Sequence, residues 1–183
     1  MPFVSTLTLL NAVKTALEAL PHTDPAQAAL GVKLFERVDF HENKKLREAL
    51  TDLTIIKQRV AIIVPGGQSF QNERQARTVL SKRSFSFDLL IADRAWTKAG
   101  RDAVFGGEKN IGVIRMADEV LNAFIANPQI GLPYVVLQPE DGAQIEIADS
   151  DVKDSAGREC YVLNYSTPAG EAVISPTQEI RPV

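Results

Sequence analysis

The strongest constraint on the fold is a pair of β-type runs joined by a polar stretch. The first run, VAIIVPGG at 60–67, has consecutive apolar residues before Pro-Gly-Gly, a pattern typical of a buried strand that stops in a tight turn. The second run, VLSKRSFSFDLLIADR at 79–94, alternates polar and apolar side chains in its central part, as expected for a strand with one buried face. The sequence therefore predicts a long hairpin, with residues 60–64 leading out and 78–92 leading back.

Two amphipathic helices are predicted on either side of this hairpin in the sequence. Apolar residues from 5 to 20 recur at three- and four-residue steps, with Ser5 or Thr6 as the N-cap. Residues 110–126 have a broad apolar face opposite charged and amide side chains, and the following NPQIGLP ends the helix. Residues 42–53 are rich in helix formers, which fits either a surface helix or an ordered loop.

The remaining segments predict further strands and one loop. The run VKLFERVDF at 32–40 is interpreted as a strand, and the glycine-rich region at about 95–109 as a mobile loop. In the β-rich part at about 133–183, the runs YVVLQ, AQIEIAD, ECYVLNYST and EAVIS are separated by turn signals, which predicts strands that complete the same sheet. With no long βαβ series, residues 1–183 are expected to form a single α+β domain, a mainly antiparallel sheet with two principal helices packed on one face.

Composition and charge exclude several classes of protein. The 183 residues carry a formal net charge of −3, which gives no general attraction for the phosphates of a nucleic acid. No apolar run reaches about 18 residues, so no membrane association is expected. The single cysteine, Cys160, cannot form an intramolecular disulfide, and with two histidines it leaves little basis for a zinc site. These counts indicate a protein of a reducing compartment.

The sequence departs from three catalytic or ligand-binding motifs that it partly resembles. The stretch GGQSFQ at 66–71 lacks the final glycine of the G-x-S-x-G nucleophile elbow, because Gln71 stands there. The same stretch lacks the Gly-Lys-Ser/Thr ending of a phosphate-binding P-loop. A calcium loop that starts at Asp149 would need glycine where Asp154 stands and glutamate where Cys160 stands. No catalytic, cofactor-binding or metal-binding residue is assigned, and no cofactor is expected.

A basic group surrounds the start of the second β-type run. Its members are Arg74, Arg77, Lys82 and Arg83. With neighbouring phenylalanines the group could imitate a nucleic-acid platform, but Phe85 shares a strand face with apolar residues and is expected in the core. The cations fit either protection of a sheet edge or a contact between subunits, and they are candidate interface residues.

Two further features are candidates for an interface. The segment at 140–154 is strongly acidic and includes Asp149 and Asp151, which fits either solvated turns or a negative patch that repels DNA and steers a basic partner. Trp96 follows the long strand next to the glycine-rich region, where it could anchor a partner or cover the edge of the sheet.

The order of these elements resembles that of tailed-phage tail terminator (tail-completion) proteins and their prophage relatives. The resemblance rests on the helix STLTLLNAVKTALEAL, the strand VAIIVPGG, the polar bridge into RTVLSKRSFSFDLLIADR, the helix IGVIRMADEVLNAFIAN, and YVVLQPEDGAQIEIADS followed by ECYVLNYS. It spans nearly the whole chain and lies in the order and texture of the elements.

The resemblance implies a structural protein and not an enzyme. Subunits of this family form a ring, usually hexameric, which caps the tail tube and supports head–tail joining. The implied partners are further copies of the chain, tail-tube proteins and head-connector proteins, with DNA passing through without specific binding. The implied location is the host cytoplasm during assembly and then the virion tail. Because the chain is longer than typical members, a neck connector, another minor tail protein or a tail-like secretion component remains open.

The alternative class is a small enzyme or a ligand-binding module with a site under the 95–109 loop. Such a site needs titratable groups that converge in space. The local supply consists of Asp93, Arg94, Arg101 and Asp102, which the sequence pattern attributes to ordinary surface ion pairs.

Overall fold

The structure is a computed structural model that describes residues 4–41, 58–75, 78–94, 101–108, 110–132, 135–140 and 158–167. Its helices and strands, in chain order, are α1 (Thr6–Ala19), α2 (Pro25–Ala29), β1 (Arg37–Phe40), β2 (Arg59–Gln75), β3 (Thr78–Arg94), α3 (Arg101–Phe105), α4 (Val113–Ala126), β4 (Gln138–Pro139) and β5 (Arg158–Ser166).

The strands form one sheet in the order β1-β2-β3-β5-β4. Three of its neighbouring pairs are antiparallel, and β1 runs parallel to β2. This mixed but mainly antiparallel sheet with helices confirms the predicted α+β class. Residues 42–57 lie outside the described residues, and with them the helix or loop predicted at 42–53.

The two long helices pack on the same face of the sheet, as predicted. Alternate residues of β3, including Phe87 and Leu89, belong to one buried cluster. The same cluster contains Val13 and Leu17 of α1 and Met116 of α4. Because residues two apart on a strand point to the same side, both helices cover the face to which Phe87 and Leu89 point.

An aromatic group lies at the centre of this core. The rings of Phe87 and Tyr165 stack with centroids 5.6 Å apart, and Phe124 of α4 meets Tyr165 edge-on at 5.2 Å. The Tyr165 hydroxyl is buried and has no hydrogen-bond partner among the described residues, and burial raises its pKa. The ring, and not the hydroxyl, therefore supplies the favourable contacts of Tyr165.

The opposite face of the sheet is also buried near the start of β2. Val60, Ile62 and Leu90 form a second, smaller cluster. The alternation predicted for β3 holds from Arg83 to Leu89, after which consecutive residues up to Asp93 are buried. This end of the long hairpin is thus enclosed on both faces.

The hairpin is longer than the sequence predicted. The prediction of a tight turn at Pro-Gly-Gly is wrong, because β2 continues through these residues to Gln75 and stays paired with β3. A β-bulge between Pro65 and Gln68 places an extra residue opposite Ser86. A Cβ atom on Gly66 would lie 2.6 Å from the Ser86 hydroxyl oxygen, so this close approach requires glycine.

Other predicted elements differ in extent. Of the strand predicted at 32–40, only Arg37–Phe40 is a strand. The Leu34 backbone amide, before it, donates a hydrogen bond to the Leu20 carbonyl at 2.9 Å. Part of the loop predicted at 95–109 is the short helix α3. In the C-terminal part, β4 and β5 extend the sheet as predicted, and the runs AQIEIAD and EAVIS lie outside the described residues.

None of the described helices is long and apolar enough to cross a bilayer.

Candidate functional site

The outer part of the hairpin extends past the rest of the sheet. Strand β1 pairs with residues 60–63 of β2, and β5 pairs with residues 86–94 of β3. Beyond these limits, β2 and β3 pair only with each other among the described strands, up to Gln75 opposite Thr78. We call residues 66–75 and 78–84 the distal ribbon; at about 3.3 Å per residue it is roughly 30 Å long.

The base of the distal ribbon is fixed to the beginning of α1. The Gln68 side-chain amide donates to the Thr6 hydroxyl at 3.2 Å, and the Arg83 guanidinium donates to the Val4 carbonyl at 2.7 Å. Residues 65–71, which include Gln68 of this base, are all exposed, and Phe70, which lies opposite Arg83, is 58% exposed. The ribbon therefore presents an aromatic side chain to solvent at its anchored base.

The candidate interface residues fall into three groups. Arg74 and Lys82 lie within the ribbon strands, in register with Val79 and Gln71. Arg83 is only 8% exposed and lies on the same strand face as Phe85, so its contact with Val4 is a tie within the subunit. The others, Arg77, Trp96, Asp149 and Asp151, lie outside the described residues.

A second surface of interest is a polar cleft of about 380 Å³ at the opposite end of the sheet. It lies between the turn after α1, helix α2, the start of β2 and the segment before α4. We call it the polar cleft; the side chains that line it include those of His22, Asp24, Arg59, Glu108, Asn110 and Arg115. Glu108 and the neighbouring Gly107 belong to the segment predicted as a loop, so the cleft borders that segment.

His22 is held in the neutral state in this cleft. Its Nδ1 accepts a hydrogen bond from the Asp24 backbone amide at 3.0 Å, which leaves Nε2 as the donor. Burial lowers the pKa of His22, Arg59 and Arg115 lower it further, and the Asp24 carboxylate opposes them. The imidazole is therefore a neutral donor at pH 7.

Two substitutions should move the pKa of His22 in opposite directions. Arg115→Ala removes a positive charge and is expected to raise the pKa, whereas Asp24→Asn removes the opposing negative charge and is expected to lower it. Asparagine keeps the N-cap of α2, so the helix should persist. NMR titration of the carbon-bound protons of the His22 imidazole measures both. Shifts of the same sign in both variants would contradict this electrostatic account.

Behind the cleft, a buried carboxylate joins three segments of the chain. Asp93 is fully buried at the end of β3. Its Oδ2 accepts from the Gly112 amide and its Oδ1 from the Asn110 side-chain amide, both at 3.0 Å. The Gln58 side chain donates to Oδ1 at 3.5 Å. Burial raises the pKa of Asp93, while these hydrogen bonds act in the opposite direction.

The Asp93 network has a structural role. Gly112 is the N-cap residue of α4 and has no side chain that could cap the helix. Asp93, on the neighbouring strand β3, instead accepts a hydrogen bond from the Gly112 backbone amide at the start of the helix. The sequence interpretation of Asp93 as part of a surface ion pair is wrong, because the side chain is enclosed. In the sequence, a glycine near the predicted start of this helix indicates that the capping side chain must come from another part of the chain.

The charges that line the polar cleft are mixed. Arg59 is held by its Nε, which donates to the Leu34 carbonyl at 2.9 Å, and by Glu36 at 3.5 Å. Arg115 is exposed, and it faces a cleft that also contains Asp24 and Glu108. In the described part of the chain, no group of three or more histidine, cysteine or acidic residues is placed to hold a metal ion. The cleft can offer donors and acceptors to a small polar molecule.

A shallower groove of about 430 Å³ lies between α1 and β1. Four of its charged side chains form two ion pairs, Lys14 with Glu18 at 2.6 Å within α1 and Arg37 with Asp39 at 2.7 Å within β1. Lys14 also donates to the Val38 carbonyl, and this bond connects the helix to the edge strand.

Comparison with known proteins identifies no relative of the chain. No protein-family model matches the chain, and no curated protein matches its sequence.

Proposed function

We propose that the chain is a structural protein of a phage or prophage tail, a ring-forming tail terminator that caps the tail tube and supports head–tail joining. The observation that carries the proposal is the distal ribbon, together with the element order on which the family resemblance rests. A rigid sheet backed by two helices provides the body of a ring subunit, and the ribbon provides an arm that can reach a neighbour.

The ribbon favours an assembly role for a physical reason. An isolated two-stranded hairpin is at best marginally stable in water. Outside residues 60–63 and 86–94 no further described strand pairs with it. A long ribbon with an exposed Phe70 would therefore gain stability from a neighbour.

In this role the chain needs no catalytic residue, cofactor or metal. Its partners are further copies of itself, in a ring that is hexameric in the related family, and then tail-tube and head-connector proteins. DNA would pass through the ring without specific binding. The protein would assemble in the host cytoplasm and end in the virion tail.

The oligomeric state of the purified chain tests the proposal. We expect a mass that rises with concentration in light scattering after size exclusion, towards 120 kDa for six copies of the 20.0 kDa chain. Negative-stain micrographs of the same fractions should show closed rings with a central opening. A strict monomer at every concentration, in both low and high salt, would count against a ring that forms from this chain alone.

A second candidate function is that of a small enzyme or ligand-binding module. The polar cleft favours it, because Gly107 and Glu108 of the segment predicted as a loop line the cleft beside His22 and Arg115. A strict monomer whose His22 ring resonances shift on addition of inorganic phosphate would support this class. Unchanged resonances in an oligomer would support the tail protein.

A further inference from the structure

We propose that the distal ribbon docks on the body of a second copy of this chain, in a head-to-tail contact between neighbouring subunits. The inference rests on the proposed ring and names the surface that builds it. Three observations carry it: the ribbon edges, which have no partner among the described strands, the direction of the ribbon relative to α1, and its charge.

The first observation is the hydrogen bonding of the ribbon edges. Between Pro65 and Gln75, β2 pairs with β3 on one side, and no described strand lies on its other side. The outer edge of β3 likewise has no described strand beside it from Thr78 to Ser84. Hydrogen bonding on this edge begins at Phe85, whose carbonyl accepts from the Thr167 amide. Strand edges of this kind, with no partner strand among the described residues, are templates for another chain.

The second observation is the direction of the ribbon. Helix α1 begins beside Gln68, as the contact with Thr6 shows, and its C-terminal end lies near the start of β2 through Leu20, Leu34 and Arg59. The helix thus runs antiparallel to β2. Residues of the ribbon beyond Gln68 therefore continue past the N-terminal end of α1.

The third observation is the charge of the ribbon. The ribbon, residues 66–75 and 78–84, contains three cationic side chains and one acidic one, a net charge of +2, whereas the whole chain carries −3, so the remainder carries −5. Two ribbons would repel each other, which disfavours a symmetric ribbon-to-ribbon pair. A ribbon against an acidic body is attractive, and exposed carboxylates such as Asp118 and Glu119 lie on the body.

These observations point to a heterologous contact. A contact in which one patch meets a different patch on the neighbour repeats from subunit to subunit, and it closes into a ring when the rotation allows. Phe70, which is exposed beside the anchored base of the ribbon, is the aromatic side chain expected to anchor the contact.

Hydrogen exchange of the unmodified protein tests the inference directly. Backbone amides of residues 66–75 should exchange more slowly in the concentrated oligomer than in the dilute monomer. An oligomer whose ribbon amides exchange as fast as in the monomer would overturn the ribbon contact and leave the ring intact. A chain that stays monomeric throughout would overturn both the ribbon contact and the self-assembling ring.

Charge reversal provides the matched comparison. In Arg74→Glu/Lys82→Glu, the concentration needed for assembly should rise at least about tenfold, because like charges would meet across the contact. The control, Lys33→Glu/Arg115→Glu, changes the net charge by the same amount on the body and should assemble near the original concentration. Circular dichroism checks that both variants fold. Equal assembly of the ribbon variant and the unmodified chain would contradict the inference.

Discussion

Alanine at position 112 is expected to destabilise the protein by more than about 4 kcal/mol or to prevent folding. Gly112 has φ +88°, in the left-handed region, and it lies against the turn that follows α3. An added Cβ atom would be 2.7 Å from the Phe105 carbonyl carbon and would also overlap the Gly106 amide nitrogen. Both neighbours are backbone atoms, so the clash cannot be relieved by a side-chain rotation. Urea unfolding measures the loss of free energy.

Gly131→Ala is the control that separates steric overlap from backbone strain. Gly131 also has a positive φ, +77°, but nothing lies within 4 Å of a Cβ atom built there. This variant should lose only about 1–2 kcal/mol, the cost of placing an L-residue in the left-handed region. Equal losses in the two variants would mean that the close approach of Gly112 to the turn after α3 does not exist in solution.

Helices α1 and α4 could be predicted from the sequence because their signal is local. The predicted ranges, 5–20 and 110–126, enclose Thr6–Ala19 and Val113–Ala126. Each helix repeats its apolar residues at the helical period, and burial in the structure follows that period. The alternation that placed Phe85 in the core is likewise a local signal, and Phe85 is buried.

The course of β2 could not be predicted because it depends on the strand beside it. Pro65 and the two glycines after it are ordinary turn residues, and on their own they favour a tight turn. The bulge opposite Ser86 accommodates all three within the hairpin. The sequence pattern places glycine at this position. It does not reveal whether the reason is a tight turn or the close approach of a partner strand.

The candidate sites depend even more on distant parts of the chain. Arg83 was grouped with surface cations because Lys82 and Arg77 are its neighbours in sequence, but the strand alternation places it on the core face, where it reaches Val4. Asp93 has donors on Gln58, Asn110 and Gly112. Composition cannot reveal which donors meet a carboxylate, since the fold brings them together.

Asp93→Ala is expected to lower the free energy of unfolding by about 3 kcal/mol. The substitution leaves the Gly112 amide without its acceptor, removes the bond from Asn110, and so weakens the connection between β3 and the start of α4. Asp93→Asn should cost less, about 1–2 kcal/mol, because it keeps the size of the side chain but turns one acceptor into a donor. Asp88→Asn, on the less buried part of the same strand, is the control and should stay within about 0.5 kcal/mol.

The pH dependence of these losses identifies the charge state of the carboxyl. Burial raises the pKa of Asp93 in the folded protein above its value of about 3.9 in the unfolded chain. The stabilising contribution of the group is therefore complete below about pH 3.9 and is lost as the pH rises through the folded-state pKa. The deficit of Asp93→Asn relative to the unmodified protein should shrink over that window, by at most about 1.4 kcal/mol per pH unit. Urea unfolding at a series of pH values measures it, and a deficit that grows with pH would show that the hydrogen bonds from Gly112 and Asn110 outweigh burial.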